Sequence, residues 1–557
     1  MKLRYLAAVG VAATLALTAC GSGGSNQSGK SPSSGAQGTA PLTIAKPDGP
    51  IAPENNNPWV GTAPAATLGY INAIYEPLAI VNLVDPSAKV QDWLASDVSW
   101  SSDYKSVTLT ARGGVTWSDG KPFTAADIAF TFDFLKQHPE LDANALGIVS
   151  ATSSGNKATI TFQDSMYTKQ DKVLMEHIVP QHVWSKVSNP DKYTNPTPVG
   201  TGPYTLSHFS SQGVQLKARS DYWGGTPAVP TLNYVSYNDN TALTTALADG
   251  DADWAQAVLP NVQTAFVDKN PSTNHYWPAA DLGDDVLYVN TTKAPFNSLA
   301  FRKALNDVID RTQYAKIARW NSQPPLTSVT GLPSPAGDAF VSAALKGQDY
   351  QVDAAAAKKT LTAAGYSYQG STLIDPSGQP VTFTISDPEG WSDYVTGISL
   401  IAKAAQSIGA KVNVTTPDAD TWTTDIANGN FQASEHWTDT GATPFNIFDD
   451  IMDGSWLKPI GQTASYNFGR YKNPQASAAL KQYANATSDA QRTAAMATIQ
   501  KIFVDDVPAM PVGMRPSVGE FDSADYVGWP SASNPYANPD PTQPSAIEIL
   551  MHLKPAK

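Results

Sequence analysis

The sequence predicts an α/β protein of several domains, on three observations. Helix and strand patterns alternate through residues 353–414, as packed layers of the two require. Two short runs with alternating apolar residues, around 204–206 and 214–216, carry the spacing of an antiparallel hairpin. At 557 residues with 41% hydrophobic side chains, the chain is long enough for two to four domains with ample cores.

The chain opens with Lys2 and Arg4, an apolar segment from Leu6 to Leu17, and Leu17-Thr-Ala-Cys20. Their order and spacing resemble a bacterial lipoprotein signal, in which the Cys20 thiol is acylated and becomes the first mature residue. The apolar segment is too short for a lasting membrane span, which needs about 20 residues, and no other segment is long and apolar enough. Cys20 is the sole cysteine, so no disulfide and no thiolate metal site forms within the chain. Residues 21–40 are Gly, Ser and Gln with little else, a flexible tether. Gly24 to Ser31 matches a phosphate-loop pattern, but no strand precedes it and Pro32 and Gly35 follow, so the helix such a loop needs is missing. The formal charge is −13. Without Lys2 and Arg4, 35 basic residues face 50 acidic ones, near −15. No basic cluster occurs, which argues against nucleic acid as a partner.

Beyond the tether, Leu42–Ile44 is a strand candidate, followed by a polar loop, Asn55-Asn-Asn-Pro-Trp59, and by Tyr70 to Leu78. Val107, Leu109 and Ala111 fall on one side of an alternating strand. Gly113 to Asp127 is a turn feeding a helix, with Thr124 at N-cap, Asp127 at N3 and Phe123 with Ile128 as a hydrophobic staple. Asp119 and Asp127 therefore read as turn and cap rather than an acid/base pair. His177 and His182 are five apart with Pro180 between, a spacing unsuited to a helical metal pair. Gly200, Gly202 and Pro203 mark a tight turn, the glycines being expected where φ is positive. The helix 241–250 ends at Gly250. Asp249, Asp251 and Asp253 imitate a calcium loop, yet its sixth place is Trp254 and its twelfth Pro260, which excludes it. In the second half, Leu287–Asn290 is a strand and Leu299–Asp310 an amphipathic helix with Phe301, Leu305, Val308 and Ile309 on one stripe. Asp353 caps a helix ended by Gly365, 379–385 and 411–414 are strands, and 391–409 is a helix between them. A last helix from Ser488 leads into 507–512, read as a return crossing to the first lobe.

Several of these blocks, in this order, resemble the solute-binding proteins of ABC importers known as family 5, the oligopeptide, dipeptide and nickel class. They are Val115-Thr-Trp-Ser-Asp-Gly-Lys-Pro-Phe-Thr-Ala-Ala-Asp127, Ile178-Val-Pro-Gln-His-Val-Trp184, Gly200-Thr-Gly-Pro-Tyr204 with Asp221-Tyr-Trp-Gly-Gly225, and Pro295-Phe296 with Arg302-Lys-Ala-Leu305. The resemblance runs from about residue 41 to the end. It implies a two-lobed periplasmic-binding-protein-like fold of class II type with a third subdomain inserted in the first lobe. The signal would span 1–19 and the linker 20–40. Lobe I would take 41–83, 191–285 and 513–557, the inserted subdomain 84–190, and lobe II 286–512. It further implies a monomer that binds without catalysis or cofactor, lipid-anchored through Cys20 on the outer face of the cytoplasmic membrane. An ABC permease would be its partner.

The same resemblance places the loop ending at Trp59 and the step at Trp254 on the cleft. Its peptide-binding members carry W-x-x-D-x-x-x-P, the aspartate pairing with the peptide ammonium. Here Trp437 and Pro444 keep that spacing, but the carboxylate falls at Asp439 and Thr440 stands in its place. A one-residue slip redirects a side chain. The wording around Trp437, with Tyr466-Asn-Phe-Gly-Arg-Tyr471, resembles members that bind cello-oligosaccharides, and tryptophans such as Trp391 offer platforms for sugar C–H faces. The expected ligand contacts are Trp59, Trp254, Trp391, Trp437, Asp439 and Asn467. The expected ligand is a β-linked oligosaccharide, with a peptide as the alternative and a secreted glycoside hydrolase as a distant third for which no motif is found.

Overall fold

The computed structural model describes residues 40–85, 88–279 and 281–556, so Cys20 and the segments read as signal and tether lie outside the described residues. Three sheets organise the chain. The first has seven strands in the order Asn274–Ala279, Ser517–Asp522, Trp254–Ala255, Leu42–Lys46, Thr231–Ser236, Gly213–Ala218 and Tyr204–Ser210. The second has five, in the order Lys411–Thr415, Thr382–Ser386, Ala433–Trp437, Asp284–Val289 and Ala509–Met514. A four-stranded sheet, built from residues 95–162, packs with the helix Ala125–Gln137 around a core of its own that includes Trp117, Phe132 and Ile160.

Asp284–Val289 shows why the second sheet is an inner layer. All six residues are buried. Leu287 and Val289 face a core shared with Phe301, Leu305 and Ile398, while Val286 and Tyr288 face Phe448, Ile499 and Phe503. A strand covered on both faces reads as a continuous apolar run, which here holds for Val286–Val289 but not for Asp284 and Asp285 at its start. Local signals then fix the helix ends. Asp353 accepts from the amides of Ala355 and Ala356, Ser488 from that of Gln491, and Asp239 from that of Ala242. Gly250 closes its helix at φ 77°. Asp127 accepts from the Thr124 amide at 2.9 Å and from the Gln181 amide at 3.1 Å, so it ties two segments together as well as capping.

Two expectations change. Gly200 and Gly202 do not have positive φ. They are glycines because the turn lies against the Ala73–Ile74 backbone: a Cβ on Gly200 would sit 1.9 Å from the Ile74 carbonyl oxygen and one on Gly202 2.4 Å from that of Ala73. The buried Arg219 guanidinium holds the turn from the other side, donating to the carbonyls of Thr201 and Gly202. The return crossing is also displaced. Ala509–Met514 is an edge strand of the second sheet, paired antiparallel with Asp284–Val289, and the chain crosses at Arg515–Pro516 into Ser517–Asp522 of the first sheet.

The chain thus passes between the two large sheets twice, between Ala279 and Asp284 and again between Met514 and Ser517. The crossings are bonded side by side. The Arg515 amide donates to Gly283 O at 3.0 Å, and Ser517 Oγ donates to Asp281 Oδ2 at 2.5 Å.

Candidate functional site: the cleft between the lobes

Two adjoining cavities, of about 330 Å³ and 290 Å³, lie between the lobes beside these crossings. Gln256, Arg515, Pro516, Asp540 and Gln543 line both, which makes them one cleft.

The larger cavity is walled by the inserted subdomain and the tip of the second lobe. Trp59, half-buried, donates from Nε1 to Glu176 Oε1 at 2.9 Å, its ring stacked on Phe134 at 5.7 Å. Burial pushes the Glu176 carboxyl up to about 7, against the Trp59 hydrogen bond. Burial alone drives the adjacent His177 down to about 4, leaving a neutral ring whose Nε2 sits 2.9 Å from Asn72 Oδ1. Opposite, Lys172 Nζ approaches Asp439 Oδ2 at 3.2 Å, and Tyr466 OH donates to the same oxygen at 2.7 Å. Burial would raise the Asp439 carboxyl, but Lys172, Tyr466 and Arg515 together hold it below the usual range. Asp281, at the first crossing, is pushed up to about 6 by burial.

The smaller cavity is aromatic and charged. Trp391 and Trp437, ring centroids 6.0 Å apart, form one wall. The Arg515 guanidinium lies over the Trp437 ring at 4.6 Å. Behind them Arg319 is fully buried, ion-paired at 2.7 Å with Asp285 and also with Asp393, while Tyr394 OH donates to Asp285 Oδ1 at 2.7 Å. Asn240, from the first lobe, donates to Ser392 Oγ at 3.2 Å and closes this flank.

Of the residues expected to reach ligand, Trp59, Trp391, Trp437 and Asp439 line the cleft. Trp254 does not. Its side chain is 0% exposed, donates to Pro539 O at 2.8 Å and packs on Trp529, so it belongs to the core. Asn467 does not either. It turns a loop at φ 49° and spends its side chain on Tyr471 N, Tyr471 O and Asp453 O. Sequence reasoning passed over Arg515 and Lys172. The lone arginine directly after the apolar run 509–514 was the available signal for the first; nothing local marks the second.

Among the described residues no cluster of three or more His, Cys, Asp or Glu could hold a metal ion. The cleft presents cations and carboxylates on opposing walls, with aromatic faces between.

Two α/β lobes joined by paired crossings around a charged cleft make a solute-binding protein. The chain belongs to the bacterial extracellular solute-binding proteins, family 5, whose middle region matches residues 89–456. Protein XP55 of Streptomyces lividans is 26% identical over 416 residues, covering 73% of this chain and 72% of that one. The probable peptide-binding protein YejA of Agrobacterium fabrum is 23% identical over 474 residues, 75% and 76% of the two chains. A mannohexaose-bound oligopeptide-binding protein of an ABC transporter from Thermotoga maritima superposes with a TM-score of 0.83 at 24% identity, over 92% of this chain and 98% of that one. At that identity the likeness is one of fold. No helix among the described residues is long and apolar enough to cross a membrane.

Proposed function

We propose that the protein captures a zwitterionic, peptide-sized solute between its lobes and presents it in closed form to an ABC-type import permease. The supporting observation is the charge of the cleft. Lys46, Lys172 and Arg515 line it alongside Asp48, Asp281, Asp439 and Asp540. Lys46 pairs with Asp48 and Lys172 with Asp439, but Arg515 and Asp540 have no ion-pair partner among the described residues. An uncharged sugar closing over them would desolvate both with no counter-charge, at several kcal/mol each. A zwitterion brings both counter-charges with it. The peptide alternative is therefore preferred to the β-linked oligosaccharide. The slip to Asp439 does not weigh against it, since that carboxylate is matched by Lys172 and other carboxylates line the same cleft. YejA, named a probable peptide-binding protein, adds support.

The division into lobe I (41–83, 191–285, 513–557), inserted subdomain (84–190) and lobe II (286–512) is kept in this reading with one change. The boundaries between lobe I and lobe II move to the two crossings, because Asp284–Val289 and Ala509–Met514 are strands of the second sheet, and closure is a hinge motion there. So are the monomeric state, the absence of any bond-making step, and lipid anchoring through Cys20 on the outer face of the membrane. Calorimetric titration of the purified protein with di- to pentapeptides and with cello-oligosaccharides tests the ligand class. Saturable heat is expected from peptides alone; saturation by the sugars with no response to peptides overturns it.

A further inference from the structure

Of the eight arginines in the described residues, seven spend their guanidinium N–H groups on the protein. Arg112, Arg219, Arg302, Arg311 and Arg470 donate to backbone carbonyls, and Arg319 and Arg492 pair with aspartates. Arg515 is the exception. Among the described residues its guanidinium makes neither an ion pair nor a hydrogen bond, only the contact with the Trp437 face at 4.6 Å. It is half-buried and lines both parts of the cleft. Asp281 and Asp439 feel its charge, yet Asp439 is committed to Lys172 and Asp281 Oδ2 accepts from Ser517. Five N–H donors in a rigid planar fork are thus held at the centre of a binding cleft with no acceptor assigned to them.

We infer that Arg515 is the anchor for a carboxylate of the ligand. The Trp437 face supports the guanidinium at 4.6 Å inside the cleft, and its planar fork of donors is one a carboxylate can accept in two parallel hydrogen bonds. The position has a second consequence. Arg515 is itself the crossing between the lobes, and its backbone is bonded to Gly283 of the other crossing. A ligand held by this side chain is therefore attached to the hinge rather than to one wall, and its carboxylate neutralises a charge that closure would otherwise bury alone. Apolar or purely cationic solutes of the same size lack that compensation.

This inference rests on the peptide reading and sharpens it to solutes bearing a carboxylate. Its test pairs ligand and protein variants: an alanine-only tripeptide as free acid and as C-terminal amide, and the amide of a Glu-containing tripeptide, titrated against wild type, Arg515→Lys and Arg515→Gln. Amidation should weaken binding to wild type about 10- to 100-fold, the range of a hydrogen bond to a charged group. Arg515→Gln should bind acid and amide alike, and Arg515→Lys should keep part of the difference. Recovery of affinity by the Glu-containing amide marks a side-chain carboxylate as an acceptable source. Because the native guanidinium has no hydrogen-bonded partner to orphan, both variants should unfold near the wild-type temperature. Equal binding of acid and amide by wild type, or a preference for the acid that survives in Arg515→Gln, overturns the inference while leaving the peptide reading standing. No binding of any peptide overturns both.

Discussion

Lys172 of the inserted subdomain and Asp439 of the second lobe meet across the cleft at 3.2 Å. Their neighbours meet too: the Ser165 amide donates to Asn485 Oδ1 at 3.2 Å, and the Arg492 guanidinium lies 3.7 Å from the Tyr167 ring. The segment 165–172 thus clasps the inserted subdomain to the second lobe. Both ends of the ion pair are 27% exposed, so the pair is worth about 0.3–1 kcal/mol, a 2- to 5-fold bias toward closure. Lys172→Ala should enlarge the radius of gyration of the ligand-free protein in small-angle scattering, and added salt should do the same to wild type. Superimposable profiles for variant and wild type would remove the clasp from the account.

The pair itself gives no pH response near neutrality. The Asp439 carboxyl is held low, so its contribution is present above the ordinary carboxylate range and lost only as pH falls through the lowered value. Burial lowers the Lys172 ammonium, but Asp439 and Asp171 outweigh it and the net shift is upward. That contribution is present below the ordinary lysine value and lost as pH rises beyond it.

Glu176 behaves oppositely. Its carboxyl moves from 4.5 to about 7, mainly by burial. A raised carboxyl stabilises the fold fully below its unfolded value and loses that contribution as pH rises through about 7. The loss is bounded by about 3 kcal/mol. Glu176→Gln keeps an acceptor for Trp59 Nε1 and removes the titration. Its melting temperature should exceed that of wild type at pH 7.5 and match it near pH 4.5. A constant offset at both pH values would mean the carboxyl does not titrate in this window.

The turn at Gly200 and Gly202 is tested by packing. A Cβ on Gly200 would meet backbone, at 1.9 Å from Ile74 O, which no rotamer change relieves. Gly200→Ala should cost about 3 kcal/mol or more, or abolish folding. Gly113→Ala, with nothing within 4 Å, should be close to neutral. Urea midpoints compare the two; equal shifts would refute the close approach.

What the sequence made legible was local. Caps at Asp353 and Ser488 act through amides two or three residues away, and the apolar run Leu287–Val289 marks a buried strand that begins earlier, at Asp284. Family blocks located the fold because their order along the chain survives low identity. The cleft was legible only in part, because it is assembled from segments hundreds of residues apart. Trp59, Trp391 and Trp437 sit on loops and strand ends that reach it, whereas Trp254, equally aromatic, is turned inward by the pleat of its strand. Asn467 looked polar and free, but its side chain completes a left-handed turn. Arg515 bears no motif; its meaning comes from lacking a partner, which only the assembled structure reveals.

The proposed anchoring rests on Leu17-Thr-Ala-Cys20, outside the described residues. Produced in its host, the wild-type protein should sediment with membranes and Cys20→Ser should not. Wild type recovered wholly in the medium would contradict the anchor.

The two tryptophans that the sequence treated alike should separate in experiment. Trp254 is fully buried, with its indole N–H on Pro539 O. Trp254→Phe leaves that carbonyl unpaired and opens a void, so about 1–3 kcal/mol of stability should be lost while peptide affinity changes less than about twofold. Trp437 is half-buried on the cleft wall, stacked between His436 at 4.0 Å and the Arg515 guanidinium. Trp437→Ala frees Arg515 to rotate and removes an apolar face from the cavity. Peptide affinity should fall about 5- to 20-fold, and ligand-induced change in tryptophan fluorescence should shrink with it. Trp254→Phe should keep that change. If instead Trp254→Phe abolished the fluorescence response and Trp437→Ala left affinity intact, the cleft would have to be placed elsewhere in the molecule.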